Sequence, residues 1–227
     1  MGGIPDQRKV FVSAWKNAEL ITTRDIKAFK QMEKYGAFYL PCPALLSSKT
    51  EHEVDDVKKI ALVYAMSNTH VGNRVSESTE SFLRELYHNL MKKYECDIVC
   101  HYIEEAVNAR RDYPEANIYY SYNSQDYFDI YKEYDLVVGA RVHAMGICAS
   151  MGIPGVAVIH DSRGATTKGF MCETIDVDKS SVEDALRKTQ YVIENIQIKS
   201  KELSHKRKTY EKYKSLILEE TSLAKGV

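Results

Sequence analysis

Arg141 and His143 stand two residues apart, just after the apolar run Leu136, Val137 and Val138 and just before a stretch of small residues, 144–151. An arginine offers a planar fork of donors that matches a phosphate or a carboxylate, and a histidine gains and loses its proton near neutral pH. Together they suggest a phosphate or carboxylate ligand. A second polar segment, His160, Asp161, Ser162, Arg163 and on to Lys168, follows another apolar run at residues 156–159. Earlier in the chain, Arg24 and Asp25 set a cation beside a residue fit to cap a helix. Ser67, Asn68, His70 and Arg74 form a further polar segment after an apolar run.

Each of these residues also has a plain structural role open to it. An arginine at a strand end often pairs with a carboxylate, a histidine at a helix start often bonds a carbonyl, and an Arg-Asp pair is often a cap plus a surface ion pair. For Arg141 and His143 the residues alone leave both readings open, and the pattern around them fixes where the pair lies. Residues 136–138 read as a buried strand ended by Gly139, residues 144–151 as a helix closed by Gly152 and Pro154, and residues 156–159 as a second strand. The pair therefore falls at the carboxyl end of a strand and the amino end of a helix, where open parallel sheets bind ligands and free backbone N–H groups favour anions.

The same alternation runs through most of the chain. Strands are expected at 60–65, 97–102, 118–122 and 173–177. Helices are expected where Phe82, Leu83, Leu86 and Leu90 share a stripe, at 104–111, from a Ser124 cap through Tyr134, and after a capping box of Ser180 and Glu183. Repeated strand and helix with short loops predicts an α/β, Rossmann-like parallel sheet with helices on both faces. Before it, residues 10–14 and 19–22 read as strands, and Asp25 opens a helix carrying Ile26, Phe29 and Met32 that Gly36 stops. Pro41, Pro43 and the polar stretch 47–59 then mark a connection, which puts the boundary between residues 1–52 and 53–227. Leu203, Tyr210 and Ile217 recur every seven residues in the charged segment 199–220, but so few heptads favour one solvated helix packed on the domain over a coiled coil.

With 44% hydrophobic and 28% charged residues in 227, the chain has the composition of an ordinary globular protein. A net charge of -1 removes the electrostatic footprint expected of a nucleic-acid binder. Cys42, Cys96, Cys100, Cys148 and Cys172 are odd in number and form no C-x-x-C pair, as expected of reduced thiols. No apolar run approaches the roughly 20 residues of a membrane span, and the first residues lack the pattern of a signal peptide. A cytoplasmic setting is expected. The tyrosines at 119, 120 and 122 are read as strand residues without a functional role.

The strand, Gly139, Arg141, His143, small-residue helix, Gly152, Pro154 and strand ending near Asp161 resemble the polysaccharide pyruvyl transferase family. A second match, Arg24-Asp25 followed by a helix, Gly36 and the Pro41 to Ala44 turn, comes in the right order, so the resemblance covers roughly residues 10–177. It implies a fold like the carboxyl-terminal half of a GT-B glycosyltransferase, with residues 1–52 as the remnant of an amino-terminal Rossmann-like domain plus linker, and 53–227 as the carboxyl-terminal domain with a charged helix. It also implies phosphoenolpyruvate as donor, with no cofactor and no metal, and a sugar or lipid-linked oligosaccharide acceptor that brings the protein near the membrane. Through it, His143 becomes the expected catalytic acid, and Arg141, Arg24, Arg163 and Lys168 the expected substrate-binding cations. His160 is a weaker candidate for proton transfer. A homo-oligomer or a partner chain supplying the missing front domain is an expected arrangement. Two other readings stand beside it: a nucleotide-sugar-dependent GT-B glycosyltransferase, for which Glu173 is the candidate ribose partner, and a non-catalytic donor-binding or accessory domain.

Overall fold

The structure, a computed structural model, describes residues 9–68, 75–196 and 201–220. Its amino-terminal elements are helix α1 (Lys9–Lys16), strand β1 (Thr22–Thr23), helix α2 (Ile26–Met32) and strand β2 (Phe38–Tyr39). Residues 10–14, expected to be a strand, are instead part of α1. The valines there favour a strand locally, but Val12 and Trp15 lie three apart on one helix face, and Trp15 is buried against Tyr35 with ring centroids 5.6 Å apart. Asp25 caps α2 as expected, its Oδ1 accepting the Ala28 N–H at 2.8 Å, and Gly36 ends the following turn with φ 77°. β1 and β2 pair in parallel as a small sheet of their own.

The main sheet is built from β3 (Lys59–Val63), β4 (Glu95–Val99), β5 (Ile118–Tyr119), β6 (Leu136–Gly139), β7 (Gly155–Ile159) and β8 (Glu173–Asp176). All pairings are parallel and the spatial order is β5-β4-β3-β6-β7-β8. In their own sequence these six strands run 3-2-1-4-5-6, so the chain reverses direction across the sheet between β3 and β6. Side chains alternate across β3: Ile60 and Leu62 enter one core, Ala61 and Val63 the other. Helices α3 (Glu77–Met91), α4 (Ile103–Asp112) and α7 (Val182–Glu194) cover the first face. Helices α5 (Asp126–Tyr131) and α6 (Val142–Met151) cover the second. The expected Rossmann-like sheet with helices on both faces is present.

Several details differ from the sequence reading. The α7 capping box is Ser181 with Asp184, one residue later than expected. Helix α5 is shorter than expected and begins from a turn in which Asn123 and Asp126 make the local bonds, not Ser124. The last helix, α8 (Lys201–Glu220), buries Glu202, Leu203 and Thr209, lets Lys206 bond two carbonyls, and sends the Tyr213 hydroxyl to the Pro41 carbonyl. Tyr210 and Ile217 are exposed, so the seven-residue spacing is no seam and one stripe packs on the domain.

Gly139, the last residue of β6, has φ 157° and no room for a side chain. A Cβ there would stand 2.8 Å from the Val63 Cβ and 3.0 Å from the Tyr87 hydroxyl, which donates to the Val63 carbonyl at 2.7 Å. This close fit draws the ends of β3 and β6 together where the connection reverses.

Candidate functional site

A cavity of about 770 Å3 opens at that reversal, at the carboxyl ends of β3, β4, β6 and β7. Ala65 lies past β3, His101 and Tyr102 past β4, Ala140, Arg141 and His143 past β6, and His160, Asp161 and Arg163 past β7. Arg24 reaches the cavity from the turn between β1 and α2. Four of the expected substrate and catalytic residues, Arg24, Arg141, His143 and Arg163, therefore line one cavity, and His160 joins them. Lys168 does not. The segment expected to be a loop coils as a 3-10 helix, Ser162–Phe170, which turns Lys168 away to a separate groove beside Pro41, Gly169 and His205. Of the polar segment after β3, Ser67 donates its N–H to Glu80 at 2.6 Å, Asn68 is exposed, and His70 and Arg74 lie outside the described residues.

Arg141 is the N-cap of α6, and its side chain is about 90% buried, with 10% of its surface exposed. Helix α6 carries no acidic residue in its first turn and no side-chain cap, so its positive end faces the cavity uncompensated. The Arg141 guanidinium is held on one side by the carboxylate of Glu105, which is fully buried, and its Cζ sits 5.0 Å from the centre of the Tyr102 ring. Glu105 also accepts the His101 backbone N–H at 2.9 Å. The Nε atoms of Arg24 and Arg141 are buried and have no hydrogen-bond partner among the described residues. Arg24 does place Nη1 3.5 Å from the Cys42 sulfur. Arg163 is paired differently, clasping Asp161 with Nε at 2.7 Å and Nη2 at 2.6 Å.

The three histidines differ in surroundings. His143 is exposed in the first turn of α6, and partial burial followed by the nearby charges of Arg24 and Arg163 holds its pKa below the usual value. His160 is lowered by burial, with Asp161 working upward and Arg163 and Arg141 downward. His101 is pushed down to about 3, chiefly by burial and then by Arg141 and His143. It stacks on Tyr127 with centroids 4.6 Å apart and places Nε2 2.8 Å from the Tyr131 hydroxyl. All three imidazoles are thus disposed to be neutral while the cavity holds no anion.

Sequence reasoning did not find Glu105, Tyr102 or His101. Glu105 reads as one more acid in the first turn of a charged helix, 36 residues from its arginine. The one signal available was position: all three follow a strand in the same way as Arg141 follows β6. Glu173, the candidate ribose partner, begins β8 at the opposite end of the sheet and pairs with Lys188 at 3.2 Å. Among the described residues, no three His, Cys, Asp or Glu side chains converge as a metal site.

A family model described as polysaccharide pyruvyl transferase matches residues 4–162. No curated protein sequence matches the chain. Among solved structures, MurG of Acinetobacter baumannii is similar, with 13% identity, a TM-score of 0.50, and a match covering 82% of this chain and 60% of that one. The glycotransferase of kitacinnamycin is 12% identical over 88% of this chain and 68% of its own, with a TM-score of 0.46. At such identities the likeness is one of fold, and this chain spans 60% of the length of that MurG.

Proposed function

This chain belongs to the polysaccharide pyruvyl transferase family, and from that premise we propose that it moves a pyruvyl group from phosphoenolpyruvate to two hydroxyls of a sugar as a cyclic ketal, in the building of a cell-surface polysaccharide. The observation that carries the reading is the convergence of Arg24, Arg141 and Arg163 around His143 at the positive end of α6. Phosphoenolpyruvate has a phosphate and a carboxylate on adjacent positions, and a site for it needs several fixed cations.

In this scheme Arg141, Arg24 and the α6 N–H groups bind the two anionic groups, and Arg163 faces the donor while clasping Asp161. Burial holds the His143 pKa down first, and Arg24 and Arg163 add to it; binding brings negative charge against those arginines and beside the imidazole, which favours its regaining a proton when the donor arrives. His143 then delivers that proton to C3 of the enol, making C2 electrophilic. A sugar hydroxyl adds to C2 and its proton returns to His143. The bond from C2 to the phosphate oxygen breaks, phosphate departing against the arginines and the helix start. The second hydroxyl closes the ketal, its proton leaving with phosphate. One donor and one diol thus yield one ketal and one inorganic phosphate.

The test is a thermal-shift titration with phosphoenolpyruvate, a UDP-sugar and a GDP-sugar on the wild type, Arg141→Ala and His143→Ala. At 100 times its dissociation constant a ligand adds about 2.7 kcal/mol of stability. The expected result is a shift with phosphoenolpyruvate alone, lost in Arg141→Ala and kept in His143→Ala. A shift only with a nucleotide-sugar would replace the donor assignment.

A further inference from the structure

We propose that Glu105 is a positioning residue for the donor site, an inference that rests on the phosphoenolpyruvate reading above. Glu105 does not itself line the cavity, though both of its partners, Arg141 and His101, do. Instead it lies in the first turn of α4, fully buried, ion-paired to Arg141 and bonded to the His101 N–H at 2.9 Å. In the sheet order β4 and β6 flank β3, so this carboxylate ties the start of the helix after β4 to the start of the helix after β6, across the end of β3. The tie forms under the cavity, at the point where the strand order reverses.

A carboxylate in such a place costs desolvation, and a buried ion pair is a poor source of net stability compared with apolar residues of the same shape. Its consequence is geometric. An arginine has many rotamers, and Arg141 stands close enough to Arg163 for the two charges to oppose each other. Glu105 engages one edge of the guanidinium while the Tyr102 ring, 5.0 Å from Cζ, covers one face. With an edge and a face engaged, the plane of the guanidinium is set before any ligand arrives, and its remaining N–H groups are presented in one orientation. A pre-set fork loses less freedom on binding a planar or tetrahedral anion than a mobile one. Glu105 thus acts on the donor only through Arg141.

The experiment compares wild type, Glu105→Gln, Glu105→Asp, Arg141→Lys and the double variant Glu105→Gln/Arg141→Lys. Gln keeps the shape and an acceptor for the His101 N–H but removes the charge. In the ligand-free protein, the Arg141 guanidinium N–H signals, assigned by their loss in Arg141→Lys, are expected to exchange with water at least about tenfold faster in Glu105→Gln. The dissociation constant for phosphoenolpyruvate is expected to rise about 10- to 100-fold in Glu105→Gln, less in Glu105→Asp, and no further in the double variant than in Arg141→Lys alone. Unchanged exchange in Glu105→Gln, or additive losses in the double variant, would overturn the proposal. If Glu105→Gln does not fold, Glu105→Asp carries the same two readouts. Should wild type fail to bind phosphoenolpyruvate, the donor reading falls, and the ligand-free exchange still decides whether Glu105 holds Arg141.

Discussion

The two ends of the main sheet carry cavities of opposite character. At the carboxyl ends of the strands about 770 Å3 is lined by Arg24, Arg141, Arg163 and three histidines. At the amino ends, about 700 Å3 is lined by Glu53, Asp55, Glu173 and Glu202, with Lys201 as the one lysine among the described lining residues and His52 beside them. Helix α6 joins the two, its uncapped start in the basic cavity and its last glycine, Gly152, beside the acidic one. The distinction is the coincidence of helix start, strand ends and arginines on one side, where the helix field adds to the side-chain charges. At the acidic end the carboxyl terminus of α6 is the helix end that faces the cavity, and burial raises the pKa of Glu202.

The largest effect that would break this contrast is expected from Arg141→Ala. It removes the central cation and leaves Glu105 buried without its partner, so unfolding stability in urea should fall by about 3–5 kcal/mol. A loss under about 1 kcal/mol would mean that the pair is dispensable to the basic end.

The second prediction uses pH, where the two ends should respond with opposite signs. His101 has a folded pKa of about 3, below its unfolded value near 6.5. Folding therefore favours the neutral form: this contribution is intact above pH 6.5 and is lost as pH falls toward 3, costing on the order of 3 kcal/mol by pH 4. Glu202 is raised, so folding favours its protonated form, and that contribution is present below its unfolded pKa near 4.5 and lost as pH rises. In a series of melting temperatures against pH, His101→Phe should flatten the acid limb and Glu202→Gln the other. Identical profiles for both variants and wild type would remove the contrast.

The smallest effect concerns the scaffold that keeps the two ends apart. Gly139→Ala sets a methyl 2.8 Å from the Val63 Cβ and should cost about 1–3 kcal/mol in chemical denaturation. A neutral outcome would show that β3 and β6 are less tightly drawn together than the geometry states.

Much of the basic end was legible in the sequence because strand, glycine, cation and small-residue helix are local signals that follow one another. The α/β class and the Arg141–His143 placement rest on such signals. The acid that holds Arg141 was not legible, because Glu105 meets it only through the strand order, and nothing local states that β4 and β6 flank β3. Lys168 was grouped with Arg163 because both sit in one polar stretch, yet a 3-10 turn between them sends them to different grooves. Residues 10–14 misled for the opposite reason. Their local preference for a strand is real, and the burial of Trp15 against Tyr35 overrides it.

The measurement that tests the central claim most directly is a histidine NMR titration of the wild-type protein with phosphoenolpyruvate. The donor at the carboxyl end should move the His143 and His160 ring signals and raise the His143 pKa, while His52, at the acidic end, stays where it is. Movement of His52 alone, or no movement of His143 at saturating donor, would contradict the assignment of the basic cavity as the donor site.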